Sequence, residues 1–295
     1  MEIIVEIGAE SQQSLIKKEL SYLYGLCDGF EPALELSQII IPQDIDACVN
    51  RLIGSDSFHS VWSTHQVAAK LLPIAGKHVL VVSPLWYTEP YDDHCRAFIF
   101  MHEMMHVWNK HRFPHLIDYA NIPFYYFENI YTMYDEYYAD RKALEIVDYL
   151  FEEKSNRFLT MKNAYIADFS KNFVQDQDWY DLLCESIGRF RVNGNVDHYL
   201  REISDSVNEI LKALVHLYSH FDHYPQHAER EEETRGTRFV GDSGLALVKY
   251  FRDKYCDDSV DLLDGIELIE AYMQKLGVRF EMLENNQVCC HVVDV

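Results

Sequence analysis

The sequence predicts an α+β fold that is mostly helical, with a small N-terminal mixed sheet packed on one central helix and a helical C-terminal half. Three observations predict it. Short β-branched runs cluster in the first ninety residues and recur only at the C-terminal end. Apolar spacing of three and four residues fills most of what lies between. The chain, 295 residues with 48% hydrophobic and 14% aromatic content, is long and apolar enough to bury a real core.

Taken in order, "EIIVEI" reads as a strand and "SQQSLIKKELSYLYGL" as an amphipathic helix. "LSQIIIP" and "GKHVLVVSPL" read as two more strands, closed by Pro42 and Pro84. "YDDHCRAFIFMHEMMHVWNKH" reads as a buried helix, capped near Asp92–Asp93 and stopped by Pro114. An aromatic connector, "IDYANIPFYYFENIYTMY", leads to an amphipathic helix at about 131–153. Helices dominate from there, "DHYLREISDSVNEILKALVHLYSHF" being the longest. "QHAEREEETRGTRF" reads as an exposed acidic loop, and "VRFEML" with "QVCCHVVDV" as a terminal strand pair. The expected organisation is one domain over 1–155 and a helical region over 156–295 that packs over a cleft in the first.

Composition narrows the function classes. A net charge of −22 opposes binding to a phosphate backbone, so no nucleic-acid partner is expected. No apolar run has the length of a membrane span, and the acidic N-terminus lacks the basic region of an export signal. Seven scattered cysteines, none in a Cys-x-x-Cys pair, suit reduced thiols in a cytoplasmic protein.

The chemistry concentrates at His102-Glu103-Met104-Met105-His106. Positions i and i+4 share a helix face, so His102 and His106 can aim two imidazoles at one metal ion. Glu103, about 100° around the helix, can reach a water without ligating the metal. Met104, Met105, Phe98, Ile99 and Trp108 make the rest of the helix apolar, a dry setting for a charged site. So short a motif needs an independent third ligand. The next helix supplies one in "DEYYADRKA", where Glu136 and Asp140 again stand at i and i+4. A carboxylate at Glu136 can complete the ligand set. Asp140 can accept the other ring N–H of a ligating imidazole, as the partners of metal-bound histidines do. Ala139 and Ala143 are small enough for close helix packing.

"HEMMH" followed by "EYYADRKA" resembles the gluzincin metallopeptidases, among them the minimal ImmA/IrrE-type enzymes. HtpX-type enzymes share the motifs but span membranes. The resemblance covers about residues 75–150. It implies a zincin-like core, Zn2+ as cofactor, His102, His106 and Glu136 as ligands, Glu103 as general base and Asp140 as the anchor of His102. It also implies that "HVLVVSPL" is the edge strand along which a peptide substrate aligns. A SprT-like protease with a third histidine is the alternative, though its usual His-Gly pair is absent. His111 and His115 do not make a metzincin site, because Asn109 and Arg112 stand where that class needs glycine and histidine.

His216, His220, His223 and His227 follow a 4-3-4 spacing. The plainest reading is a polar face of a surface helix; the others are a second metal site, or a histidine (His220 or His223) that stabilises a tetrahedral intermediate. Tyrosines 125, 126, 131, 134, 137 and 138 read mainly as core or groove lining, with one able to serve an oxyanion. The expected function is an intracellular zinc endopeptidase acting on a specific protein or peptide, latent in some states and answering to a regulatory partner. The alternative is a non-catalytic module that zinc only braces.

Overall fold

A computed structural model of the chain describes residues 1–27, 36–62, 65–88, 93–112, 124–151, 177–224, 240–256, 261–283 and 288–293. They form two compact units. The first comprises Met1–Arg112 with Lys142–Glu153, the second Phe113–Arg141 with Lys154–Val295. The fold is α+β and mostly helical, as the sequence predicts.

The first unit is built on a four-stranded mixed sheet. Strands β1 (Glu2–Val5), β2 (Leu36–Ile41), β5 (Ala69–Ile74) and β6 (Lys77–Val82) lie in the order β1-β2-β6-β5, while β3 (Val61–Trp62) and β4 (His65–Gln66) form a separate short ladder. β1, β2 and β6 run parallel, and β5 returns antiparallel to β6. Ile74 pairs with Lys77, leaving Ala75 and Gly76 as a two-residue turn with φ of 49° and 75°. Positive φ at both central residues is the turn geometry that continues the strand twist. The sequence reading misses this hairpin because Ala-Gly lacks the usual Asn-Gly signature. Helix α1 (Glu10–Gly25) packs on β1, and α2 (Ile45–Ile53) packs on β5 and β6 through Ile45, Cys48 and Val49 against Ile40, Leu72, Val79 and Val81. Asp44 caps α2 by accepting from the Ala47 amide, and Gly54 closes it in the left-handed region.

One expectation is corrected here. "HVLVVSPL" is not an edge strand: β6 is hydrogen-bonded on one side to β2 and on the other to β5. Its unbroken apolar run is that of a strand buried on both faces, since Val79 through Val82 are all buried. The edge on this side of the sheet is β5, where Lys70 and Pro73 are exposed, and β1 is the other.

Beyond a short helix, α3 (Leu85–Thr88), comes α4 (Asp93–Arg112), the histidine helix, which packs on β5 and α1. Ala97, Phe100, Met101, Met104, Met105 and Val107 are its buried apolar residues.

Helix α5 spans Phe124–Phe151, a start seven residues before the expected 131. Much of the supposed connector is therefore helix. Its "FYYFENIYTMY" is apolar nearly all round, and a helix without a polar face shows no stripe to read. Ala139 and Ala143 are fully buried.

The second unit adds α6 (Gln177–Asn193), α7 (Val196–His223), α8 (Gly241–Lys254), α9 (Ile266–Lys275) and the hairpin β7 (Val278–Met282) with β8 (Val288–Val292). α7 buries Val207, Ile210, Leu211, Leu214, Leu217, Tyr218 and Phe221 at helical spacing. Tyr126, Tyr134, Tyr137 and Tyr138 of α5 belong to this core. Tyr126 accepts from the Phe280 amide at 2.7 Å, and Tyr134 donates to the Lys254 carbonyl at 3.2 Å. Tyr137 and Tyr138 pack with Phe251 and Tyr255. At Gly265 an added Cβ would lie 2.5 Å from Ile130 Cδ1 and 2.6 Å from the Tyr250 ring, so these side chains would have to shift to admit one. The acidic stretch 226–239, His115 and His227 lie outside the described residues, as do the side chains of His111 and Tyr125.

Candidate metal centre

His102 and His106 are half-buried on α4, and the helix alone brings them together: their Nε2 atoms lie 2.9 Å apart. Two nitrogens bound to one tetrahedral metal at roughly 2.0–2.1 Å stand about 3.3 Å apart. The pair is thus close to the separation that ligation requires. The rings meet edge to face, with centroids 4.5 Å apart. Glu103, also half-buried, follows His102 on the same helix.

Glu136, on α5, joins them. One donor atom from each of His102, His106 and Glu136 lies within 4.8 Å of the other two, a group that can hold a metal ion. Two imidazole nitrogens and a carboxylate oxygen are a donor set suited to borderline divalent metals, zinc among them. All three side chains are partly rather than fully covered. That leaves the group accessible from solvent while its helices stay buried on their other faces.

Behind Glu136 stands a polar ladder to α7. His216 Nδ1 donates to Asp140 Oδ2 at 2.6 Å, and Ser219 Oγ donates to the same oxygen at 2.9 Å. Asp140 is 1% exposed, so both bonds are made away from water. The other nitrogen of His216, Nε2, lies 3.9 Å from Glu136 Oε2, and Lys212 Nζ lies 3.9 Å from Oε1. Further along, Asp222 accepts a short hydrogen bond from Tyr137 and pairs with Arg252, with Arg141 Nη1 at 3.8 Å. Burial pushes the Tyr137 hydroxyl far above its usual range, with the Asp222 charge adding to the effect, so it remains a donor.

The histidine face of α7 divides. The sequence reading favoured a solvated face and singled out His220 and His223; it is His216 that meets the carboxylates of α5. His220 is 2% exposed and donates from Nδ1 to the His216 carbonyl at 2.8 Å. Burial lowers its pKa from 6.5 to about 4, so it is neutral at physiological pH. His223 packs edge to face on Tyr224. The 4-3-4 spacing shows that these residues share a face but not which of them meets a partner. Asp140 accepts hydrogen bonds from His216 and Ser219. Among the described residues no helix is long and apolar enough to cross a membrane.

No protein-family model matches this chain, and neither a curated protein nor a solved structure does.

Proposed function

We propose that the protein is a zinc metallopeptidase hydrolysing a peptide bond in a specific protein substrate, with His102, His106 and Glu136 holding the ion. One observation carries the reading: three donor atoms of suitable chemistry lie within 4.8 Å of one another, and a glutamate stands in the His-Glu-x-x-His position beside them. A bound zinc would supply Lewis acidity, lowering the pKa of a water and polarising the substrate carbonyl. Glu103 takes the proton of the attacking water and passes it to the leaving amine. His216, held by Asp140, offers an imidazole beside Glu136 from which an oxyanion can accept a hydrogen bond. β5 has β6 as its partner strand and packs against α4, so its outer edge suits an extended peptide. Seven cysteines with no disulfide among them favour the reducing cytoplasm as its place of action.

A second reading draws on the same Asp140–His216 pair. A carboxylate on one ring nitrogen is the arrangement ligating histidines make. With His216 as a fourth ligand, the metal would brace the helices and serve a non-catalytic interaction module.

Glu103→Gln separates the two. Glutamine keeps the shape but cannot take a proton. Peptidase action predicts zinc content and thermal stability equal to wild type, with cleavage reduced about 10²–10⁴-fold. The cleavage assay compares new N-termini in cell extracts treated with wild type or variant. Equal sets from the two proteins would leave only the bracing reading.

A further inference from the structure

We propose that Lys212 is an anion-binding residue of this site and selects substrates that carry a carboxylate one or two residues beyond the scissile bond. The inference rests on the metallopeptidase reading and names its substrate class.

Lys212 and His216 are one turn apart on α7, and each lies 3.9 Å from an oxygen of Glu136. The two differ in exposure. The side chain of Lys212 is 41% exposed, that of Glu136 only 14%, so the ammonium stands on the solvent side of the carboxylate. An ion pair this long and this exposed is weak. The flexible four-carbon stem lets the ammonium move from Glu136 to a ligand at little cost.

Metal binding sharpens the point. A divalent ion on Glu136 takes up the charge of that carboxylate, leaving Lys212 beside a cation with its counter-charge spent. With 48 acidic residues against 26 basic, the chain as a whole repels anions. Lys212 is a local exception at the group that can hold the metal. An ion bonded to Glu136 at roughly 2 Å lies within about 8 Å of that ammonium. One residue of extended peptide spans about 3.5 Å. A carboxylate one or two residues past the polarised carbonyl therefore falls within reach. It can be a free C-terminus or an Asp or Glu side chain, since both present the same group.

The test uses the full-length, zinc-loaded protein and three ligands sharing a zinc-binding succinyl hydroxamate, which continues into alanine as the free acid, alaninamide or aspartamide. Calorimetry reads their affinities, so no turnover is needed. The free acid, the aspartamide or both should bind about 5-fold or more tightly than the neutral alaninamide. A gain for the free acid alone identifies the C-terminal carboxylate as the feature read, and a gain for the aspartamide alone the acidic side chain. Lys212→Met should erase the gain, Lys212→Arg should keep it, and Lys249→Met, at an exposed lysine of α8, should leave it intact. Zinc loaded normally with the three ligands equal in wild type, with none binding, or with a gain that survives Lys212→Met, overturns this inference alone. A protein that takes up no zinc overturns the metallopeptidase reading and this one with it.

Discussion

Helix α4 and the helix pair α5–α7 place polar groups in apolar surroundings by different means. On α4, His102 and His106 meet because one turn of one helix separates them, and their nitrogens are 2.9 Å apart without help from distant sequence. On α5 and α7 each contact joins residues 76 to 85 positions apart, as in His216–Asp140, Ser219–Asp140 and Tyr137–Asp222. The first arrangement costs the chain little ordering entropy beyond forming the helix. The second forms only when two helices have docked, and it binds its groups to one another. The difference teaches that one helical turn is enough to bring the α4 histidines together, whereas the α5–α7 ladder depends on docking.

If this division is right, damage to α4 should remove the metal and damage to the ladder should loosen the fold. The largest effect is expected from His102→Ala combined with His106→Ala. Two of three ligands go, so elemental analysis should find bound zinc falling from about one ion per chain to almost none, while far-ultraviolet circular dichroism stays that of wild type. Zinc retained in the double variant would break the assignment.

Asp222→Ala tests the ladder. The carboxylate is 7% exposed and paired to Arg252 and Arg141, so its removal leaves guanidinium charge under partial cover. Breaking such a pair costs about 3 kcal/mol, the lower end of the range for buried pairs because the Arg252 side chain is 39% exposed. Urea denaturation should show that loss, with zinc stoichiometry preserved. A variant as stable as wild type would show that the ladder does not hold the helices.

A smaller effect should follow pH. Unfolded His220 takes up a proton below about 6.5, whereas in the fold burial delays uptake to about 4. The unfolded state then binds more protons, so this contribution to stability is complete above pH 6.5 and is lost as pH falls toward 4. Its full size is about 3 kcal/mol, only partly expressed at pH 5. His220→Gln should flatten the stability profile between pH 7 and 5, measured by denaturation at each pH. An unchanged slope would assign the dependence to other groups.

The smallest expected change is in metal affinity on Asp140→Asn. With His216 and Ser219 as the partners described, the substitution should lower cleavage about 10-fold by loosening His216, and weaken zinc by less than that. A fall in zinc affinity of about 10–100-fold, the usual result when a ligand's carboxylate partner is lost, would instead make Asp140 the anchor of a ligating imidazole.

What could be read from the sequence follows the same division. The strands β1, β2 and β6, helix α4 with its histidines, the terminal hairpin and Glu136 with Asp140 at i and i+4 all rest on short-range periodicity. The start of α5 was obscured because Phe124 to Tyr134 is apolar on nearly every side, and the β5–β6 hairpin because Ala75-Gly76 is a weak turn signal.

The sequence by itself determined the α+β class, the aim of two imidazoles from one helix face, and a carboxylate on a later helix as their candidate companion. Those are properties of the 3.6-residue turn and of residue chemistry, and both act over a few positions. Only the tertiary structure decided that β6 is interior and β5 an edge, that Glu136 comes within 4.8 Å of the histidines, and that His216 hydrogen-bonds Asp140. Those outcomes depend on which residues pack once strands and helices dock. A face of histidines at helical spacing carries no mark of which one will bond a carboxylate of the neighbouring helix.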